Sequence, residues 1–231
     1  MTALTRLKPL TLVDQASEQL LQLVDEQRLT AGASLPSIAE LAESFGASRA
    51  VIREALKSLE AQGVIEIANG KRARMRPVNS EPLLNYFQRA LQVDGQTVRE
   101  FAEIRIGLEL QSVALAVERG SDEELQSLEH TVQLMRQNLH DPIAFAEYDV
   151  KFHLQIAHAS HNQMLVHLLQ SLRGAIHASV RKGLHKRLTT NQMNAVQGFH
   201  ERVAAALIQR NPAEADAAMR AHFDEIAMSL D

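Results

Sequence analysis

A chain of 231 residues that is 45% hydrophobic and 23% charged has the composition of an ordinary globular protein, with room for one large domain or two modest ones. It contains no cysteine, so disulfides and thiolate metal sites are excluded and any metal must be held by histidine, carboxylate or backbone oxygen. The net charge of −4 argues against nucleic acid only if evenly spread, no apolar run approaches the ~18 residues of a membrane span, and the opening MTALTRLKPLTLVDQ lacks a signal peptide's apolar core, so a cytoplasmic protein with no membrane partner is expected.

The charge is in fact segregated. Residues 1–78 hold ten Lys/Arg against nine Asp/Glu, and within 46–78 the balance is seven against three. A local basic patch of this kind suits a phosphate backbone. At the start, TLVDQASEQLLQLVDEQ (11–27) places Leu12, Ala16, Leu20 and Val24 at helical spacing. After the loop RLTAGASLP, Ser37-Ile-Ala-Glu40 forms a capping box that opens a second helix. Gly46 interrupts it, Ser48 caps a third helix running to about Gln62, and Gly63 suits the left-handed position after that helix. Ala42, Gly46 and Ile52 then sit where a helix-turn-helix needs a small residue at the crossing, a positive φ in the turn and a branched apolar side chain between the helices.

Val64–Ile67 reads as a strand and Asn69-Gly70 as a two-residue hairpin turn. Arg72, Arg74 and Arg76 alternate with Ala73 and Met75, which puts the three arginines on one face of a basic wing. Residues 1–78 are therefore expected to be a winged helix-turn-helix. Its DNA-facing set is Ser37 at the second helix, Ser48, Arg49, Ala50, Arg53 and Lys57 on the third, and Asn69, Gly70 and Lys71 in the wing. Arg49, near the helix N-terminus, suits base readout, while Arg53 and Lys57 suit phosphate. The competing readings are a merely charged surface helix with a solvated hairpin, or a protein-interaction module. The stretch SLPSIAELAESFGASRAVIREALKSLEAQGVIEIANGK resembles the DNA-binding domain of the GntR family of bacterial transcription regulators. That resemblance implies a homodimer on a pseudo-palindromic double-stranded operator. The chain departs from the family at Ile38-Ala39, where a Glu-Arg pair is common and the Arg contacts DNA, which implies a different affinity or site preference.

RPVNSEP (76–82) is a Pro-flanked break, and the linker is placed at 79–84 with a second domain over 85–231. Ser121-Asp-Glu-Glu124 is another capping box, and Asp141-Pro142 and Asn211-Pro212 pair a cap with Pro at the first helical position. Helices are expected over about 82–93, 97–119, 122–139, 142–159, 163–185, 190–209 and 212–229, with no strand pattern. The fold class is thus mainly α, a winged helix followed by an antiparallel all-α bundle.

All ten histidines lie beyond residue 129. In EYDVKFH, Asp149 and His153 are four apart and share a helix face. His200 lies in line with Val196, Val203 and Leu207, and His222 with Ala218, Met219 and Ile226, so both fall on apolar stripes. Three inward histidines and a carboxylate on three helices can converge in the core, where each unpaired polar group would cost ~1–3 kcal/mol. A divalent ion would satisfy them together, and zinc, nickel, manganese or iron suit such donors. Separate hydrogen-bonded core histidines are the alternative. His158, His161, His167, His177 and His185 are read as surface or cavity-lining.

EYDVKFHLQIAHASHN and the later FHERVAAALIQRNPAEADAAMRAHFDEI resemble the FCD effector domain of FadR-type GntR regulators, over about residues 85–229. The resemblance implies Asp149, His153, His200 and His222 as ligands of a divalent metal, zinc foremost. It implies a small organic or sugar acid effector held with Arg105 of FAEIRIGLE, a guanidinium gripping a carboxylate bidentately. For Arg105 an ion pair with Glu109 or Glu103 is the alternative. Asn162 lines the pocket or caps the next helix. The function implied is a ligand-controlled transcription regulator, a repressor in the commoner family mode. Its rivals are a direct metal sensor and a metalloenzyme built on two histidines and a carboxylate.

Overall fold

Side-chain caps set the helix starts in the computed structural model, which describes residues 10–68, 71–93, 97–181 and 190–230. Two units separate, Met1–Pro82 and Leu83–Asp231.

In the first unit, α1 (Leu12–Glu26) begins at a capping box the sequence reading did not single out, Thr11 with Asp14. The expected Ser37–Glu40 box starts α2 (Ile38–Phe45), and the Ser48 hydroxyl accepts from the Val51 N–H to start α3 (Arg49–Ala61). Gly46 ends α2 with φ 59° and Gly63 follows α3 with φ 76°, both in the left-handed region that glycine occupies without a Cβ clash. Ile52, Ala55, Leu56 and Leu59 of α3 bury against Leu20 of α1 and Leu41 of α2.

The wing is built from β1 (Ile65–Glu66) and β2 (Arg74–Met75), antiparallel with Ile65 opposite Met75. β1 is shorter than the expected 64–67 for local reasons. The Val64 N–H is taken by the Leu59 carbonyl at the end of α3, and the Ile67 N–H by the Glu60 side chain at 2.9 Å. The loop before α2, read as plain loop from sequence, supplies a third edge. Ser34 bridges Arg74, Met75 donates to the Ala33 carbonyl and Leu35 donates to the Ala73 carbonyl, both at 2.8 Å. Asn69 and Gly70 lie outside the described residues.

The second unit is helical: α4 (Glu81–Val93), whose first two residues precede the division, then α5 (Thr97–Arg119), α6 (Asp122–Gln137), α7 (Pro142–Ala159), α8 (Gln163–Arg181), α9 (Thr190–Ile208) and α10 (Pro212–Leu230). These agree with the expected spans to within two residues, apart from the end of α8, and caps and prolines mark the starts of α6, α7 and α10. The end expected for α8 at 185 falls on residues outside the described set. α9 packs on α10 and α6, and α5 packs on α7 and α10. Phe152, Ile156, Val203, Leu207 and Met219 fill the space between them. Arg210, at the α9–α10 turn, donates to the Val117 and Gly120 carbonyls at 2.9 and 2.7 Å and pairs with Asp122. It satisfies carbonyls left open where α5 ends and so fixes α5 against the α9–α10 pair. Among the described residues no helix is long and apolar enough to cross a membrane.

Candidate metal centre

The inward faces of α7, α9 and α10 meet at four side chains. Asp149 and His153 come from one face of α7, His200 from α9 and His222 from α10, and one potential ligand atom of each lies within 4.8 Å of all the others. The three histidines are buried, while 22% of the Asp149 side chain stays accessible. His200 Nε2 stands 3.1 Å from Asp149 Oδ1 and 3.3 Å from His153 Nε2, and His153 Nε2 is 3.6 Å from Asp149 Oδ1. Phe152 meets the His153 and His200 rings edge-on at 5.3 and 5.2 Å, and Phe223 lies 5.2 Å from His222.

Burial pushes the His222 imidazole well below the ordinary histidine range, and neighbouring His200 and His153 add to this. Burial also lowers His200, with Asp149 opposing. Burial alone would raise the Asp149 carboxyl, but Arg173 and then His153 hold it well below the usual range. The shifts of Asp149, His200 and His222 thus all run toward an ionised carboxylate facing neutral imidazoles, the protonation that metal coordination requires. Both ring nitrogens of His222 and Nδ1 of His200 are buried without a hydrogen-bond partner. Donors ~2.1 Å from one ion stand roughly 3.0–3.4 Å apart at octahedral to tetrahedral angles, close to the 3.1, 3.3 and 3.6 Å separations among Asp149, His153 and His200. The donor set and the orphaned nitrogens fit a divalent cation better than they fit separately satisfied core histidines.

Behind the four lies a charge network on α5 and α8. Arg173 is fully buried. It donates from Nε and Nη2 to Glu109 Oε1 at 2.8 and 2.5 Å, and from Nη1 to Asp149 Oδ2 at 2.8 Å. Glu109 also pairs through Oε2 with His153 Nδ1 and through Oε1 with Arg105 Nε at 2.9 Å. Burial would raise the Glu109 carboxyl, yet Arg173, His153 and Arg105 hold it well below the usual range. Arg173 was not anticipated from sequence, and Glu109 only as one of two possible partners of Arg105. The signal for Arg173 was available: it continues the buried stripe of Val166 and Leu169 on α8, where a cation needs a reason to be.

The ion pair weighed for Arg105 is present, with Glu109 and not the exposed Glu103. It uses only Nε. The terminal nitrogens have no partner among the described residues, and the guanidinium carbon sits 4.9 Å from the centre of the Phe223 ring. Asn162 acts as a cap: its Oδ1 accepts from the Met164 and Leu165 N–H groups at 3.1 and 3.3 Å, opening α8. Of the other histidines, His158 is exposed, His161 pairs with Glu124 at 3.0 Å and His167 is half-buried, while the side chains of His177 and His185 lie outside the described residues.

In the first unit Ser37 and Ser48 are spent as helix caps. Arg49, Ala50 and Arg53 are exposed on α3, and neither arginine has an ion pair among the described residues. Lys57 is exposed and pairs with Glu54 at 2.9 Å. Lys71 is exposed, and Arg72 reaches Glu40 of the α2 cap at 3.4 Å.

Residues 12–75 match the family described as "Bacterial regulatory proteins, gntR family", and residues 100–225 match the FCD domain. The Glc operon transcriptional activator of Escherichia coli K12 is 30% identical over 227 residues, covering 93% of this chain and 87% of that protein. The HTH-type transcriptional regulator LutR of Bacillus subtilis is 29% identical over 207 residues, covering 88% and 94%. The HTH-type transcriptional repressor NanR of an Enterobacter species is 28% identical over 220 residues, covering 94% and 84%. A solved GntR structure from Streptococcus agalactiae superposes with a TM-score of 0.72 at 28% identity, over 94% of this chain and 99% of that one.

Proposed function

From the premise that the chain belongs to the GntR family of bacterial regulatory proteins and carries an FCD domain, we propose that it is a homodimeric regulator whose operator affinity is set by a small carboxylate effector bound at a divalent metal in the helical unit. DNA-binding transcription regulation follows from membership of the family, and a metalloenzyme is set aside on the same ground. The observation that carries the finer reading is the meeting of three buried histidines, one carboxylate and a guanidinium whose terminal nitrogens have no partner among the described residues.

In this reading Asp149, His153, His200 and His222 hold the ion, zinc foremost with nickel, manganese or iron as alternatives. When bound, the ion supplies a Lewis-acid contact for an effector oxygen. Arg105 grips the effector carboxylate with its terminal nitrogens while Glu109 keeps Nε engaged. Arg173 holds the outer oxygen of Asp149 and leaves the inner one for the ion. Asn162 contributes by starting α8, the helix that carries Arg173.

On the DNA side, Arg49 reads a base edge from the first turn of α3 with Ser48 and Ala50 beside it. Arg53 and Lys57 take phosphates, Ser37 orients α2, and Asn69, Gly70 and Lys71 form the wing contact. Each winged helix reads one half of a pseudo-palindromic operator. Relatives named both as repressor and as activator stand at similar identity; release of a repressor by effector is the mode we propose. Effector and operator then weaken each other by the same factor.

The test is a thermal-shift screen of the full chain against small carboxylates, with and without chelator, on wild type and Arg105→Ala. An effector at ~100 times its Kd adds about 2.7 kcal/mol. A hit lost on chelation and lost in Arg105→Ala, with operator binding of that variant intact, supports the reading. A normal effector response in Arg105→Ala overturns the role of Arg105. A change of operator affinity on chelation alone makes the metal itself the signal.

A further inference from the structure

Among the described residues, Glu109 is the carboxylate that touches both arms of the site. Its Oε1 accepts from Arg105 Nε at 2.9 Å and from Arg173 Nε and Nη2 at 2.8 and 2.5 Å. Its Oε2 lies against His153 Nδ1 as a close ion-pair contact off good hydrogen-bond geometry, and Nδ1 has no other polar partner among the described residues. The side chain is 2% exposed, so no solvent competes for these contacts. An ionised carboxylate can only accept, so the His153 Nδ1 facing it carries the hydrogen. A neutral imidazole has one N–H, which leaves Nε2 with its lone pair. Nε2 is the atom that stands 3.3 Å from His200 Nε2 and 3.6 Å from Asp149 Oδ1, inside the four-residue cluster.

We propose that Glu109 is a positioning residue that locks His153 in the tautomer presenting Nε2 to a divalent cation, while the same carboxylate holds Arg105 in place for the effector. This rests on the metal reading of the cluster. It gives a reason for burying a carboxylate between two guanidiniums and an imidazole: one group sets both the ring that meets the ion and the cation that meets the effector. A carboxylate behind a ligating histidine fixes ring orientation and tautomer together.

Glu109→Gln keeps the shape and reverses half of the chemistry. The two guanidiniums are donors only, so the amide oxygen must face them. The amide NH2 then meets His153 Nδ1, which has to accept. The ring hydrogen moves to Nε2 and points into the cluster, where it opposes a cation. Metal affinity should fall about 10–100-fold although all four ligands remain. A Glu109 that served stability alone would lower the melting temperature and leave the tautomer unchanged.

The experiment uses the full chain labelled with 15N-histidine and freed of metal, at about pH 8 where imidazoles are ordinarily neutral. Ring 15N–1H correlations assign the His153 tautomer, and competition with a chromophoric chelator then measures zinc affinity. The expected result is Nδ1–H in wild type, and Nε2–H with about 10–100-fold weaker zinc in Glu109→Gln. Nε2–H in wild type overturns the proposal without any variant. So does a folded Glu109→Gln that keeps Nδ1–H or wild-type zinc affinity. Glu109→Asp retains a carboxylate and should restore Nδ1–H; Nε2–H in that variant also overturns it, which keeps the test open if the glutamine variant does not fold. Wild type that takes up no zinc overturns the metal reading and the proposal with it, and is told apart from a failure of Glu109 alone because the tautomer is read without metal.

Discussion

His222→Leu should change the stability of this protein with opposite sign in the absence and presence of metal. His222 is fully buried, and neither ring nitrogen has a hydrogen-bond partner. Each orphaned polar group in an apolar interior costs about 1–3 kcal/mol. Leucine is close in volume, and repacking against Phe223 and the neighbouring rings costs under ~1.5 kcal/mol. Without metal the variant should therefore equal wild type or exceed it by about 1 kcal/mol, roughly 2–4 °C in melting temperature for a chain of this size. Zinc at ~100 times its Kd stabilises wild type by about 2.7 kcal/mol. The variant, with one of four ligands gone, gains little of this. The order should invert, with wild type ahead by about 2 kcal/mol or roughly 4–8 °C. Calorimetric melts of both proteins in chelator and in excess zinc measure all four values. A variant that melts below wild type by the same margin in both conditions would refute the reasoning, because His222 would then be packing the core and holding no ion.

Arg49→Ala should weaken operator binding by about 1–3 kcal/mol and relax preference at one base pair; unchanged affinity across single-base operator variants would remove Arg49 from base readout. The acid limb of stability should depend on Glu124, whose carboxyl is held at about 2 against an ordinary 4.5, first by its hydrogen bond to His161 and then by the Ser121 N–H. The unfolded chain binds this proton more readily, so the contribution is present above about pH 4.5 and lost as pH falls through about 2. Urea unfolding of wild type and Glu124→Gln should show a gap near pH 6 that closes toward pH 2, and a gap that persists unchanged would refute the assignment.

The parts legible in the sequence are those with a local signature. Ser37 with Glu40, Ser121 with Glu124, and proline at 142 and 212 announce helix starts within one turn, and the structure begins α2, α6, α7 and α10 there. His200 and His222 were legible because a polar side chain on an apolar stripe stands out at helical period. The third edge of the wing was not, because the contact of Ser34 with Arg74 spans forty residues and the loop has no strand pattern. Arg173 and the full role of Glu109 were hidden for the same kind of reason. Glu109 lies on α5 and Arg173 on α8, and neither the burial of the pair nor its compensation can be read from one helix.

Those two residues also bear on what the site can accept. Glu109 and Asp149 are balanced by Arg105 and Arg173, and the three histidines are neutral in the coordinating form. In that form the charges of the inner site cancel apart from the ion's own. A divalent ion entering this set therefore leaves two positive charges in surplus in a largely buried region, where uncompensated charge is expensive. An anion that bridges the ion and the free edge of Arg105 removes that surplus, whereas a neutral ligand of the same size would not. On this ground the proposed effector is a carboxylate, its affinity should rise with the metal in place, and a dianionic acid should bind more tightly than a monoanionic acid of equal size.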